Sequence, residues 1–207
     1  MPLQNRVLPD GSIVKDPARG LLTGNRGILH DGAQNLIHRW TNTAWICCAL
    51  EWKGTRRTPM TGRKWTELFF LDEAVALASG HRPCTTCRRA PYNAFRAAWA
   101  KAELLGSQAP EIDAHLHALR LTPTRHQRLH LADGQTLPDG GFILHAQTAT
   151  LPPTPHLILG PNAYPFTPAG YLAPVPRPTG PVQVMTPAPL IAALSAEYRP
   201  ILHPSAF

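Results

Sequence analysis

Cysteine is scarce in this sequence. Its 207 residues carry four, as an adjacent Cys47-Cys48 and a Cys84-x-x-Cys87. That is a poor disulfide framework for a chain of this size, which leaves reduced thiols or a bound metal. Acid is also short: 13 Asp and Glu face 20 Lys and Arg, for a formal net charge of +7 and a pI near 9.7. Such a balance favours a polyanionic partner, and most of the positive residues lie in the first half. No apolar run reaches the roughly 20 residues that cross a bilayer. The opening "MPLQNRVLPDGSIV" lacks the charged head and apolar stretch of a signal peptide, so the expectation is a cytoplasmic protein without membrane association. Dinucleotide-binding, P-loop, HExxH and nucleophile-elbow patterns are absent. The deaminase pattern is absent too, because no His-x-Glu precedes "HRPCTTC".

The sequence does contain short strands and helices with legible ends. "NRVLPDGSIVK" places an Asp10-Gly11 turn between two apolar runs, "ILHDGAQNLI" places another at Asp31-Gly32, and "AWICCALEW" and "WTELFFL" read as strands. Asp72 is placed to cap a helix over "EAVALAS" that Gly80 closes. Pro91 marks the start of a second helix, with Tyr92, Phe95, Trp99 and Ala102 at helical spacing, running to about Gly106. A third, "PEIDAHLHALRL", groups Ile112, Leu116 and Leu119. Fourteen of the 23 prolines fall in 152–204, where they break "HLILG", "GYLAPV" and "PVQVMT" into an irregular β-meander, with "NAYPFTPAGY" read as turns. A last helix follows Thr186, "APLIAALSAEY". The fold class is therefore α+β: a zinc-stapled basic module over 1–106, then a helix, a proline-rich β region and a carboxyl-terminal helix over 107–207, packed as one compact unit.

A CxxC turn aims two sulfurs at one ion, and zinc takes four ligands, so Cys84 and Cys87 require partners elsewhere. The strand holding Cys47 and Cys48 is the donor. Side chains alternate across a strand, so one of the two reaches the metal, and Cys48 is the expected ligand. His30, ahead of the Asp31-Gly32 turn, is the expected fourth ligand, with His38 and His81 as rivals. The expected cofactor is zinc in a Cys3His site.

Residues 69–89, "FFLDEAVALASGHRPCTTCRR", resemble the end of the Ada-type N-terminal metal-binding domain of DNA alkylation-repair proteins, and the partial match spans about 48–89. In that family four cysteines hold zinc and one accepts a methyl group from a DNA phosphotriester. Cys84 and Cys87 match the final ligand pair. The family's first pair is Cys-x-x-x-Cys, whereas here Cys47 and Cys48 are adjacent, with Glu51 and Trp52 where a partner would stand. The resemblance thus implies a zinc-stapled domain near DNA, and a role in repair or processing, more than it implies methyl transfer.

The loop "KGTRRTPMTGRK" brings Lys53, Arg56, Arg57, Arg63 and Lys64 beside this segment, and Arg82, Arg88 and Arg89 flank the cysteine turn. Guanidinium groups bind phosphate in a forked geometry, and Trp52 and Trp65 bracket the loop where they could stack on a base. Nucleic acid, with DNA favoured, is the expected partner on this evidence. The rival readings are a zinc-supported hydrolase, of nuclease or glycosylase type, and a protein-interaction module. For an enzyme the acid–base candidates are Asp113 and His117, four apart on one helix, and Asp139 in a glycine turn.

Overall fold

The computed structural model describes residues 1–207 except 56, 57, 63, 64, 147 and 149. The first half builds one sheet. Strands β1 (Gln4–Val7) and β2 (Ile13–Lys15) form the hairpin expected about Asp10-Gly11. They are followed by β3 (Leu22–Asn25), β4 (Ile46–Ala49), β5 (Leu68–Phe70), helix α1 (Glu73–Ala78) and the two-residue β6 (Arg82–Pro83). The order across the sheet is β2-β1-β5-β3-β4-β6. Helices α2 (Arg89–Lys101) and α3 (Ala109–Arg120) come next.

The second half contributes β7 (His130–Asp133), β8 (Phe142–His145), β9 (Thr154–Leu159), β10 (Asn162–Thr167), β11 (Gly170–Tyr171), β12 (Val175–Pro176), β13 (Pro181–Val184) and helix α4 (Ala188–Ser195). This sheet runs β11-β10-β9-β8-β13-β7, with β12 paired to β10. Among the described residues no helix is long and apolar enough to cross a membrane.

The two halves share one core. Val7, Leu68, Phe70 and Ala74, Val75, Ala76 and Ala78 of α1 pack with Phe142, Leu157, Tyr171 and Met185 from the second half. A second cluster joins Phe95 and Trp99 of α2, Ile112 and Leu116 of α3, and Leu190 and Leu194 of α4. Helix α1 is buried at all six residues, so its ends have to be satisfied from within. Asp72 does this at one end by accepting from the Val75 amide at 3.0 Å. At the other, Gly80 takes φ +85°, and a Cβ there would lie 2.8 Å from Cδ of Arg120.

Three local expectations change. Helix α2 begins at Arg89, two residues before Pro91, and ends at Lys101, well short of Gly106. "NAYPFTPAGY" is strand rather than turn: β10 pairs with β9 through Pro165 and returns as β11. Pro187 occupies the cap position of α4, while Oγ1 of Thr186 accepts from the Phe142 amide at 2.9 Å and ties the helix entry to β8.

Candidate metal centre

The sheet register assembles the thiol site. Strand β4 lies between β3 and β6, with Thr23 opposite Cys48, Gly24 opposite Cys47, and Cys47 opposite Pro83. Alternation sends Cys47 into the core, where it is fully buried, and turns Cys48 to the other face. The parallel β4–β6 pair then delivers the chain to Cys84, whose amide donates to the Cys47 carbonyl at 2.9 Å. The turn 84–87 folds back, and one sulfur from each of Cys48, Cys84 and Cys87 lies within 4.8 Å of the others.

Of the three thiols, Cys84 is the one held as a thiolate, while those of Cys48 and Cys87 are raised. The amide of Thr86 donates to Sγ of Cys84 at 3.4 Å, and the Cys87 and Ala49 amides favour the thiolate forms of Cys84 and Cys87 respectively. Hydrogen bonds from Cys48 and Cys87, together with these amides, hold the Cys84 thiol far below its usual range. Cys48, as the donor, is pushed far up. A tetrahedral zinc with 2.3 Å bonds sets its sulfurs about 3.8 Å apart, so the cluster suits a soft cation by size as well as by donor type. The three cysteines therefore could hold a metal ion.

Cys47 sits in a different environment. Nη1 of Arg88 lies 3.0 Å from its sulfur, and Arg88 is clamped in a two-pronged ion pair with Glu73 at 2.7 and 2.9 Å. Glu73 also accepts from the Tyr198 hydroxyl at 2.6 Å and the Ile201 amide at 3.0 Å. Burial, reinforced by the Glu73 charge, raises the Cys47 thiol well above its usual range.

The structure places all three candidate histidines outside the thiol group. His30 forms only an isolated bridge to Leu36. Its ring contacts Thr66 Oγ1 at 2.6 Å and the Gly62 carbonyl at 3.3 Å, and with His38 it lines a separate cavity. His81 is buried between Ser79 and Arg26, and burial drives its pKa well below 6.5.

Beside the cluster lies a cavity of about 730 Å³. Thr23 and Asn25 of β3, Ile46 and Cys48 of β4, and Glu67 and Phe69 at β5 form its floor. Strand alternation was the signal that could have found these residues. Trp52, Lys53 and Trp65 stand along its wall. The ammonium of Lys53 lies 4.7 Å over the exposed Trp52 ring, and the buried Glu67 accepts from the Met60 amide at 2.8 Å.

The expected phosphate-binding arginines separate into three groups. Arg89 is exposed. Arg82 and Arg88 are 4 % exposed, Arg82 being locked to Asp113 at 2.6 Å and Arg88 to Glu73, so both are structural rather than available to phosphate. Arg56, Arg57, Arg63 and Lys64 lie outside the described residues. The acid–base candidates do not converge either. Asp113 serves Arg82, and His117 meets Arg120. Asp139 accepts from the Gly160 amide at 2.8 Å and from Arg177 at 3.3 Å. No family model, no curated protein and no solved structure matches this chain.

Proposed function

We propose that Cys48, Cys84 and Cys87 bind zinc and that the adjoining cavity receives part of a nucleic-acid chain, DNA by preference. The observation that carries this reading is the convergence of three thiols, supported by backbone amides, at the wall of a cavity with aromatic and basic sides. Trp52, exposed beside Trp65 on the cavity wall, offers a ring face for an unstacked base. Lys53, Arg19 and the exposed Arg89 supply charge for the backbone, and Arg56, Arg57, Arg63 and Lys64 belong to the same basic segment. Bound zinc would keep the sulfurs as thiolates and, with three protein donors, leave one coordination position to water or a ligand. A role in DNA repair is the extension favoured by the Ada-type resemblance of residues 48–89.

Metal analysis of the purified protein should return one zinc per chain, and none for Cys84→Ser. Single-stranded DNA should bind with an affinity that falls steeply as salt rises, because each phosphate contact releases a counterion. Weak binding that is flat with salt would sink the nucleic-acid reading. After incubation with methylated DNA, a gain of one methyl group on a single cysteine would extend the function to repair, whereas an unchanged mass would confine the metal to support and binding.

A further inference from the structure

A second cavity, of about 480 Å³, opens on the opposite side of the β3–β4 pair. Asn25 and Ile46 face the thiol cavity, whereas their neighbours Arg26 and Trp45 line this one. Arg26 and Arg120 are each only 2 % exposed. Their guanidinium carbons lie 4.2 and 3.8 Å from the centre of the Trp45 ring.

Neither guanidinium is in a direct ion pair among the described residues: Asp10 acts on Arg26 and Asp113 on Arg120 only from a distance, and Asp113 is already locked to Arg82. Arg26 donates through Nε to His81 at 3.1 Å and through Nη1 to the Gly11 carbonyl at 2.9 Å. Its buried Nη2 has no hydrogen-bond partner, and it lies beside Gly11 at the cavity wall, 3.7 Å from where a Cβ would sit. Arg120 donates to the Gly80 and Thr43 carbonyls at 3.0 and 2.7 Å, while its buried Nε also has no partner. Burial pulls both groups down to about 9. Two buried positive charges with neutral acceptors are costly, and stacking on one ring offsets only part of that cost.

The rim has the same sign. Arg39 and Arg125 are exposed at the mouth. Arg39 donates to the Arg125 carbonyl at 2.9 Å, and the Arg125 guanidinium lies 5.5 Å over Trp40. Asp10 is the one acid among the described residues that line the cavity, and it is exposed and already accepts from Ser12.

We propose that this cavity binds a small phosphomonoester, its phosphate held between Arg26 and the rim arginines Arg39 and Arg125, its organic part against Trp40. A carboxylate is satisfied by one guanidinium fork, whereas a tetrahedral dianion accepts from several directions at once, as this arrangement provides. The volume lies in the range of small-molecule sites, roughly 300–1,000 Å³, and exceeds what a bare phosphate needs. The site shares no lining residue with the thiol cavity, so it stands or falls apart from the metal reading.

The test uses the full chain at fixed ionic strength, titrated separately with AMP, inorganic phosphate and adenosine, reading tryptophan fluorescence and melting temperature. AMP is expected to saturate and to raise the melting temperature, inorganic phosphate to do so more weakly, and adenosine to do neither. Arg39→Ala and Arg125→Ala should each weaken AMP about tenfold, the loss of one hydrogen bond to a charged group, with the melting temperature of the free protein unchanged. Arg26→Gln should abolish the response; if that variant does not fold, the exposed rim pair decides the matter. No saturable response to either AMP or phosphate, an equal response to adenosine, or unchanged affinity in the Arg39→Ala/Arg125→Ala variant would each overturn the proposal.

Discussion

The two faces of β4 carry neighbouring cysteines in opposite surroundings. Cys48 looks toward an opening with two other sulfurs beside it. Cys47, one residue earlier, is sealed under Arg88, Glu73 and Tyr198, with its thiol pushed up by burial. The residue type is the same and the backbone continuous. What differs is the company each side chain meets once the strand alternates: two further thiols on one face, a buried ion pair on the other.

The largest test of that contrast strikes the sealed face. Glu73→Ala strips Arg88 of its carboxylate and orphans the Tyr198 hydroxyl, and the loss of a partner from a buried pair costs about 3–5 kcal/mol. Chemical denaturation should show a loss of that size even when the thiol cluster is intact. On the open face, Cys84→Ser should remove the metal, and with it about 2.7 kcal/mol of stabilisation when free zinc stands a hundredfold above its dissociation constant. Cys47→Ser should leave the zinc content at one per chain. If it lowered that content as far as Cys84→Ser does, the division between the faces would fail.

Smaller effects sharpen the comparison. Trp52→Ala is expected to weaken single-stranded DNA binding by about 1–3 kcal/mol per stacked base with the melting temperature unchanged, since the ring is exposed. The smallest effect concerns acidity. The folded-state pKa of His81 is depressed well below 6.5 by burial and by Arg26 and Arg120, so the unfolded chain takes up the proton first. Its contribution is complete above pH 6.5 and declines as pH falls below that value, by about 1 kcal/mol over a full pH unit. Melting curves from pH 7 to 5 should show this decline, and His81→Phe should make it shallower, with His117, His130 and His156, also lowered by burial, carrying the rest.

Much of the site's scaffold was readable because its signals are local. Asp72 and Gly80 bracket α1 from positions fixed by the helix itself, and strand alternation separates Cys47 from Cys48. Arg82 and Arg88 differ from expectation because burial is decided by distant partners: Arg82 meets Asp113 across 31 residues, and Arg88 meets Glu73 only when α1 and the start of α2 come together. His30 was misplaced for a related reason. Its turn is closed by a single bridge instead of a hairpin, so nothing carries it alongside β4. Proline was over-weighted in β10, where Pro165 sits within a paired strand.

Asp72 and Glu73, side by side at the entry to α1, have a further consequence. Their remaining donors come from residues about a hundred or more positions later: the Tyr171 hydroxyl and His203 amide for the first, the Tyr198 hydroxyl and Ile201 amide for the second. During synthesis the strand and turn that carry the thiols therefore emerge long before the groups that finish their support. An amino-terminal fragment ending near residue 106 would lack both these donors and the second-sheet residues that cover α1, so the support behind the cysteine turn is completed by residues made well after it. A chain cut shortly before Tyr198 should keep all three sulfurs and still hold them loosely.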